Sequence, residues 1–320
     1  MTRSSAALAG VIAFTVASCV RVKEPAVRPS AARPSDRLWS DPGNIQSKDL
    51  FYGQWGVERA PKPGAVFTFV EHKHAGVNPG MTVVDPDGRQ WSVKQTPPGA
   101  LDVEAQVEVT VSRLLQAIGY LQPPVYFLPE FTLKDDWGTH TEVGGRFRLK
   151  DETFKELGSW SWPENPFIGT RPYQGLLALM MLFNSTDLKD NNNSIFEYRS
   201  GDRVEQWYVV RDLGSALGDT RRLGPFKSDP DAYEHDPFII GVERNYVRFA
   251  YSGYYEKYVR DRISPNDVVW ATRLLGGLTD QQWRDAFRAG GYDQQTTARF
   301  IRTLRNRIQA GQALSRRARS

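Results

Sequence analysis

Residues able to do chemistry gather in two short stretches of this 320-residue chain. One is Asp187-Leu188-Lys189-Asp190-Asn191-Asn192-Asn193-Ser194-Ile195. The other, beyond a strand-like run at Gln206 to Val210, is Asp212-Leu213-Gly214. Upstream, Lys94 ends the alternating run Trp91-Ser92-Val93-Lys94, and Glu104 and Glu108 follow on a segment with helical spacing. Carboxylate and amide oxygens beside lysine amines are groups that move protons, hold hard cations and offset anionic charge. Taken singly, each has a plainer reading. Strand-end lysines and Asp-Leu-Gly tripeptides are common on solvated surfaces, and an Asn-rich stretch can be a turn. Other chemistries lack their parts: no Gly-x-Ser-x-Gly or His-Glu-x-x-His occurs, and His140 and His235 are isolated. His72 and His74 alternate on a strand without a nearby third ligand, which reads as a solvated strand face.

The elements that must position these residues are legible as patterns. From Gly64, strands are expected at Val66 to Val70, Met81 to Val84 and Trp91 to Lys94. They are joined by Gly76-Val77-Asn78-Pro79-Gly80 and by the turn Asp85-Pro86-Asp87-Gly88. Val107, Val111, Leu114, Leu115 and Ile118 fall on one side of a helix stopped at Gly119, and Pro123-Pro124 leads into a strand at Val125 to Leu128. The second half turns helical. Tyr173 to Phe183 is almost wholly apolar and predicts a buried helix, and Ser264-Pro265 and Thr279-Asp280 read as helix N-termini. Phe300, Ile301, Leu304 and Ile308 make the arginine-rich end an amphipathic core helix. The aromatic segment Trp160 to Phe167 is expected to pack between a β-rich part and a helical part.

The order of these features resembles the catalytic core of the protein-kinase-like superfamily, in which an Asp-Leu-Lys-x-x-Asn-x-x-Ile loop precedes a strand ending in Asp-Phe-Gly or a variant. The resemblance spans Gly64 to about Ile308 and implies an α+β, bilobal protein-kinase-like fold, with a β-rich N-lobe carrying one helix and a mainly helical C-lobe. It further implies Mg²⁺ and ATP, or another nucleotide, as cofactors. Asp187 would accept the acceptor hydroxyl's proton, Lys189 would lie near the transferred phosphoryl group, and Asn192 and Asp212 would hold the metal. Lys94 would bind phosphates and be held by Glu108, with Glu104 one turn earlier as the alternative. The Gly76 to Gly80 turn would cover the phosphates, and residues near Phe127 to Glu130 would form the hinge and adenine pocket. Ser185-Thr186 replaces the usual His-Arg, no Gly-x-Gly-x-x-Gly or Ala-Pro-Glu is found, and the spacing from Asn192 to Asp212 is short. In these respects the chain is more similar to HipA-type, phosphatidylinositol-type and secreted atypical kinases than to regulatory ones.

The N-terminus supplies a second signal. Arg3, the apolar stretch Ala6 to Val16 and the small residues after it read as a secretory leader over 1–18, too short to span a bilayer. Val16-Ala17-Ser18-Cys19 resembles the bacterial lipobox, and Cys19 is the single cysteine of the chain. Lipidation there implies a membrane anchor at the bacterial cell envelope, on a periplasmic or outer face. A Pro-, Ala-, Ser- and Arg-rich tether is expected over 19–45, then an N-lobe at 46–131, a C-lobe at 132–310 and a basic tail at 311–320. A hydrophobic content of 40% with nine Trp marks a folded core, and a net charge of +4 gives little support to nucleic-acid binding. The functional expectation is an atypical kinase transferring phosphate to a hydroxyl acceptor of unspecified class. The alternative is a catalytically inactive kinase-like binding module.

Overall fold

The computed structural model describes residues 32–73, 80–95, 103–220 and 227–317. It is an α+β protein with a β-rich N-terminal part and a helical C-terminal part. The leader, Cys19, Gly76 and His74 lie outside the described residues.

The N-terminal part is a closed barrel of β2 (Val66–His72), β3 (Gly80–Val84), β4 (Gln90–Gln95), β6 (Gly138–Lys150) and β5 (Val125–Asp135), in the order β2-β3-β4-β6-β5. Antiparallel pairs join all neighbours except β2 and β5, which close the ring in parallel. Alternation drives it: Phe67, Val83, Trp91, Val93, Phe131 and Phe147 point inward as a cluster of packed rings and β-branched side chains. Helix α1 (Val103–Ala117) is inserted between β4 and β5. Its Val107, Val111, Leu114 and Leu115 join the core of the helical part, so α1 ties the two parts together.

Three boundaries differ from expectation. The division at 131–132 falls inside β5, because a turn at 135–138 returns the chain as β6, whose Arg146-Phe147-Arg148-Leu149-Lys150 alternation keeps apolar residues in the barrel. Phe127 to Glu130 are consequently mid-strand, spanned by the β5–β6 ladder, and form no hinge; the chain leaves the barrel after Lys150. The tether also ends earlier than residue 45. Asp36 and Arg37 (β1) pair in parallel with β9 (Arg203–Val210), Leu38 is buried, and the Trp39 indole donates to the Ile118 carbonyl at 2.8 Å. Gly119 turns beneath this strap at φ +99°, where a Cβ would collide with the Ser40 carbonyl. At the other end the helix continues through most of the expected tail, since Leu314 extends the apolar stripe and is buried.

The helical part is built on α2 (Arg171–Leu182), buried nearly throughout and N-capped by Thr170. Beside it lies a sheet ordered β1-β9-β8-β7, from β7 (Phe154–Gly158), β8 (Asn193–Ser200) and β9 (Arg203–Val210). Further along come α3 (Pro230–His235), the hairpin β10 (Ile239–Glu243) and β11 (Tyr246–Phe249), the short α4 (Glu256–Val259), α5 (Pro265–Gly276), α6 (Asp280–Ala289) and α7 (Gln294–Arg317). Ser264 and Thr279 cap α5 and α6 in capping boxes, as their sequences imply. Trp160 and Trp162 pack into the helical core, with the Trp160 indole donating to Val209, and not between the two parts. None of the described helices is long and apolar enough to cross a membrane.

Arg307 of α7 fixes the end of α2. Its buried guanidinium donates to Leu182 O (2.9 Å), Asn184 Oδ1 (2.7 Å), Tyr233 O (3.0 Å) and Asp236 O (2.7 Å), and lies over the Tyr233 ring. Asn184 takes a left-handed conformation there (φ 53°), which turns the chain toward Asp187. Replacing Arg307 by Met strands several buried acceptors and should lower the unfolding free energy by about 3 kcal/mol or more. Urea denaturation measures this, and a loss below about 1 kcal/mol would show the clamp to be idle.

Candidate functional site

In β4 the pleat sends Trp91 and Val93 into the barrel and Ser92 and Lys94 to its outer face. On the neighbouring β6, Arg148 lies opposite Ser92 and Arg146 opposite Lys94, while Gly80 of β3 flanks Lys94 on the other side. A row of cations therefore faces α1. Glu108, 2% exposed, answers it: its Oε1 accepts from Arg148 Nη2 at 2.7 Å and lies 3.0 Å from Arg146 Nε, and its Oε2 is 3.8 Å from Lys94 Nζ. Glu104, one turn earlier, approaches Lys94 more closely, at 3.3 Å, and also pairs with Lys227. Lys94 is thus shared by two glutamates, and Glu108 is chiefly the counter-ion of two arginines.

Lys94 also meets Asp212, at 3.3 and 3.5 Å from the two carboxylate oxygens. Burial pulls the Lys94 amine down, but Glu108, Asp212 and Glu104 outweigh it and hold the pKa above its usual value. Burial pushes the Asp212 carboxyl up, and the charge of Lys94 overcomes this and leaves it lowered. Both groups are charged at neutral pH. Asp212 is fastened to the loop, since its N–H and that of Arg211 both donate to the Asn192 carbonyl, at 3.1 and 2.9 Å. The Asn192 amide donates to the Asp187 carbonyl at 2.8 Å, and Asp187 N–H donates to Ser215 Oγ at 3.2 Å. Lys189 lies 2.9 Å from Asp187 and over the Tyr254 ring. The hydrogen bond to Asp187 keeps the Lys189 pKa raised. One connected set of contacts therefore brings Lys94, Glu104, Glu108, Asp187, Lys189, Asn192 and Asp212 together.

The donor set suits a hard cation shared with phosphate. Asp212 supplies a half-buried carboxylate, and Asn192, whose NH₂ donates to the Asp187 carbonyl, could offer Oδ1 as a ligand. Among the described residues no group of three or more His, Cys, Asp or Glu side chains could hold a metal by itself. Magnesium tolerates this well, since it keeps water and takes substrate phosphates as ligands beside one or two carboxylates. Of the glycines, Gly80 opens β3 beside Lys94, whereas Gly76 is outside the described residues.

Arg146, Arg148, Lys73 and Arg211 escaped the sequence reading. The first two were detectable as charges alternating with Phe147 and Leu149, but their meeting with Glu108 depends on how β6 returns to the barrel. His72 is exposed on β2 beside Phe69 and contributes nothing to the site.

No family model and no curated protein matches the chain. Solved structures similar in backbone course include two kinases. One is the Helicobacter pylori proinflammatory kinase CtkA, at 14% identity and a TM-score of 0.44, covering 79% of this chain and 98% of that one. The other is the Rio2 kinase of Chaetomium thermophilum, described as an ADP/Mg²⁺-phosphoaspartate complex, at 10% identity and a TM-score of 0.31, covering 77% and 72%.

The different burial of the two glutamates yields a test. Glu108→Gln removes the charge that answers Arg146 and Arg148 and should destabilise the fold by about 3–5 kcal/mol. Glu104→Gln, at a wetter position, should cost about 1 kcal/mol or less. Equal losses in chemical denaturation would contradict this division of roles.

Proposed function

We propose that the protein is a kinase-like phosphotransferase that uses a Mg²⁺-bound nucleotide and an acceptor hydroxyl. The observation that carries the reading is the contact of Lys94 with both Asp212 and Glu104, joined through Asn192 to Asp187. Lys94 would contact the donor phosphates, Asn192 and Asp212 would hold the metal, and the metal would offset charge on the transferring group. Asp187 would accept the proton of the attacking hydroxyl, with Lys189 beside it. What supports an envelope location and a lipid anchor is the 1–18 leader and Cys19. One observation favours a non-catalytic binding module instead: Lys189 occupies the Asp187 carboxylate at 2.9 Å, so that base is free only if a ligand draws the amine away.

A thermal-shift titration of the full chain with ATP, GTP and ADP, with and without Mg²⁺, tests the reading. At a hundred times the dissociation constant, ligand binding stabilises by about 2.7 kcal/mol. The shift should require Mg²⁺, vanish in Asp212→Ala and weaken in Lys94→Ala. Failure of every nucleotide to shift the transition would refute nucleotide use. A shift without phosphate transfer to any hydroxyl acceptor would favour the binding module.

A further inference from the structure

A groove of about 810 Å³ lies between α6 and α7 and shares no lining residue with the Lys94 to Asp212 set. Arg284 and Arg288 stand one turn apart on α6, and Arg302 and Arg305 stand about one turn apart on α7. Two pairs of guanidinium groups therefore border the same space. Buried Ile301 and exposed Ala298 add a small apolar area between them, and the amides of Gln281, Gln294, Asn306 and Gln309 complete the lining.

The charge inside the groove is positive. Asp280, which pairs with Arg305, is the one carboxylate among its lining residues. The acids that answer Arg288 and Arg302 stand outside it: Asp285 pairs with Arg288 at 3.0 Å, and Glu234 divides itself between Arg299 and Arg302. Arg284 donates to the Gln281 amide at 3.0 Å and, among the described residues, has no carboxylate partner. Exposed ion pairs of this kind are worth about 1 kcal/mol or less, so they compete weakly with an arriving anion.

The length of the groove selects among anions. Its lining runs from Gln294 to Gln309 along α7, which is about 22 Å at the rise of an α-helix. An extended chain rises about 3.3 Å per residue, so about six or seven residues fit. A single phosphate or lipid headgroup fills only a fraction of that length. The carboxylates of an acidic segment can pair with the arginines two oxygens at a time, and the glutamine and asparagine amides can meet its backbone N–H and C=O groups.

We propose that the α6–α7 groove docks an acidic, extended peptide segment of a partner protein. The inference stands apart from the phosphotransfer reading, and either can fail without the other.

Fluorescence anisotropy of the full chain tests it with a labelled seven-residue peptide of alternating Glu and Ala and its uncharged Gln-Ala counterpart. On the wild-type chain the acidic peptide should bind at least about tenfold more tightly than the uncharged one, and added salt should weaken it. This comparison needs no folded variant. Arg284→Ala should weaken the acidic peptide about fivefold, and Arg302→Ala added to it should weaken binding again. Arg203→Ala, at an exposed arginine of β9, should leave the affinity unchanged. Failure of the acidic peptide to bind, equal binding of the two peptides, or indifference to both groove substitutions would overturn the proposal. Arg284-dependent binding to phosphatidylglycerol vesicles without peptide binding would assign the groove to a lipid surface and also overturn it.

Discussion

The organisation of the site depends on one buried carboxylate. Lys94, Arg146 and Arg148 stand side by side on β4 and β6, and like charges at facing strand positions repel. Glu108 is brought to them by α1 and lies within 4 Å of all three. A buried ion cluster of this kind adds little net stability over apolar packing, but it tolerates few alternative arrangements. It fixes the rotation of α1 about its axis, which puts Glu104 on Lys94 and holds the lysine toward Asp212. The apolar side of the same helix is anchored in the core of the helical part, so the position of Lys94 relative to Asp212 is set from both sides.

The loop opposite is equally constrained. Arg307 and Tyr233 bind the end of α2, and the Thr186 carbonyl accepts from Tyr254 N–H and the Tyr251 hydroxyl. Asp190 spends its carboxylate on Trp162 N–H and Tyr255. Asp187, Lys189, Asn192 and Asp212 therefore stand on hydrogen-bonded backbone, with the Asp187 carboxylate paired to Lys189 and that of Asp212 to Lys94. Donors and charges that are already oriented cost little to reorganise when a charged ligand arrives.

Much of this was legible in the chain itself. The strands around Lys94, the helix carrying Glu104 and Glu108 and the buried α2 all follow from local periodicity, and the Asp187 to Asn192 spacing is a local motif. What escaped was non-local. The charge-apolar alternation of Arg146 to Lys150 is a strand signal, but only the return of β6 beside β4 shows that its arginines meet Glu108 and that Phe127 to Glu130 lie mid-strand. The segment around Leu38 and Trp39 reads as tether from its proline and serine content, because two apolar residues carry no periodicity. Their burial depends on grooves made by Ile118, Tyr120 and β9, far along the chain.

Under the proposed phosphotransfer reading, metal and phosphate would be handled together, by Asp212 and Asn192 on one side and Lys94 on the other. Electron paramagnetic resonance of Mn²⁺, substituted for Mg²⁺, tests this most directly by counting bound metal with and without nucleotide. Since the described residues offer no complete metal cage, Mn²⁺ should bind weakly alone and tightly once nucleotide is present, and Asp212→Ala should abolish the tight site. Tight Mn²⁺ binding that needs no nucleotide, or that survives Asp212→Ala, would contradict it.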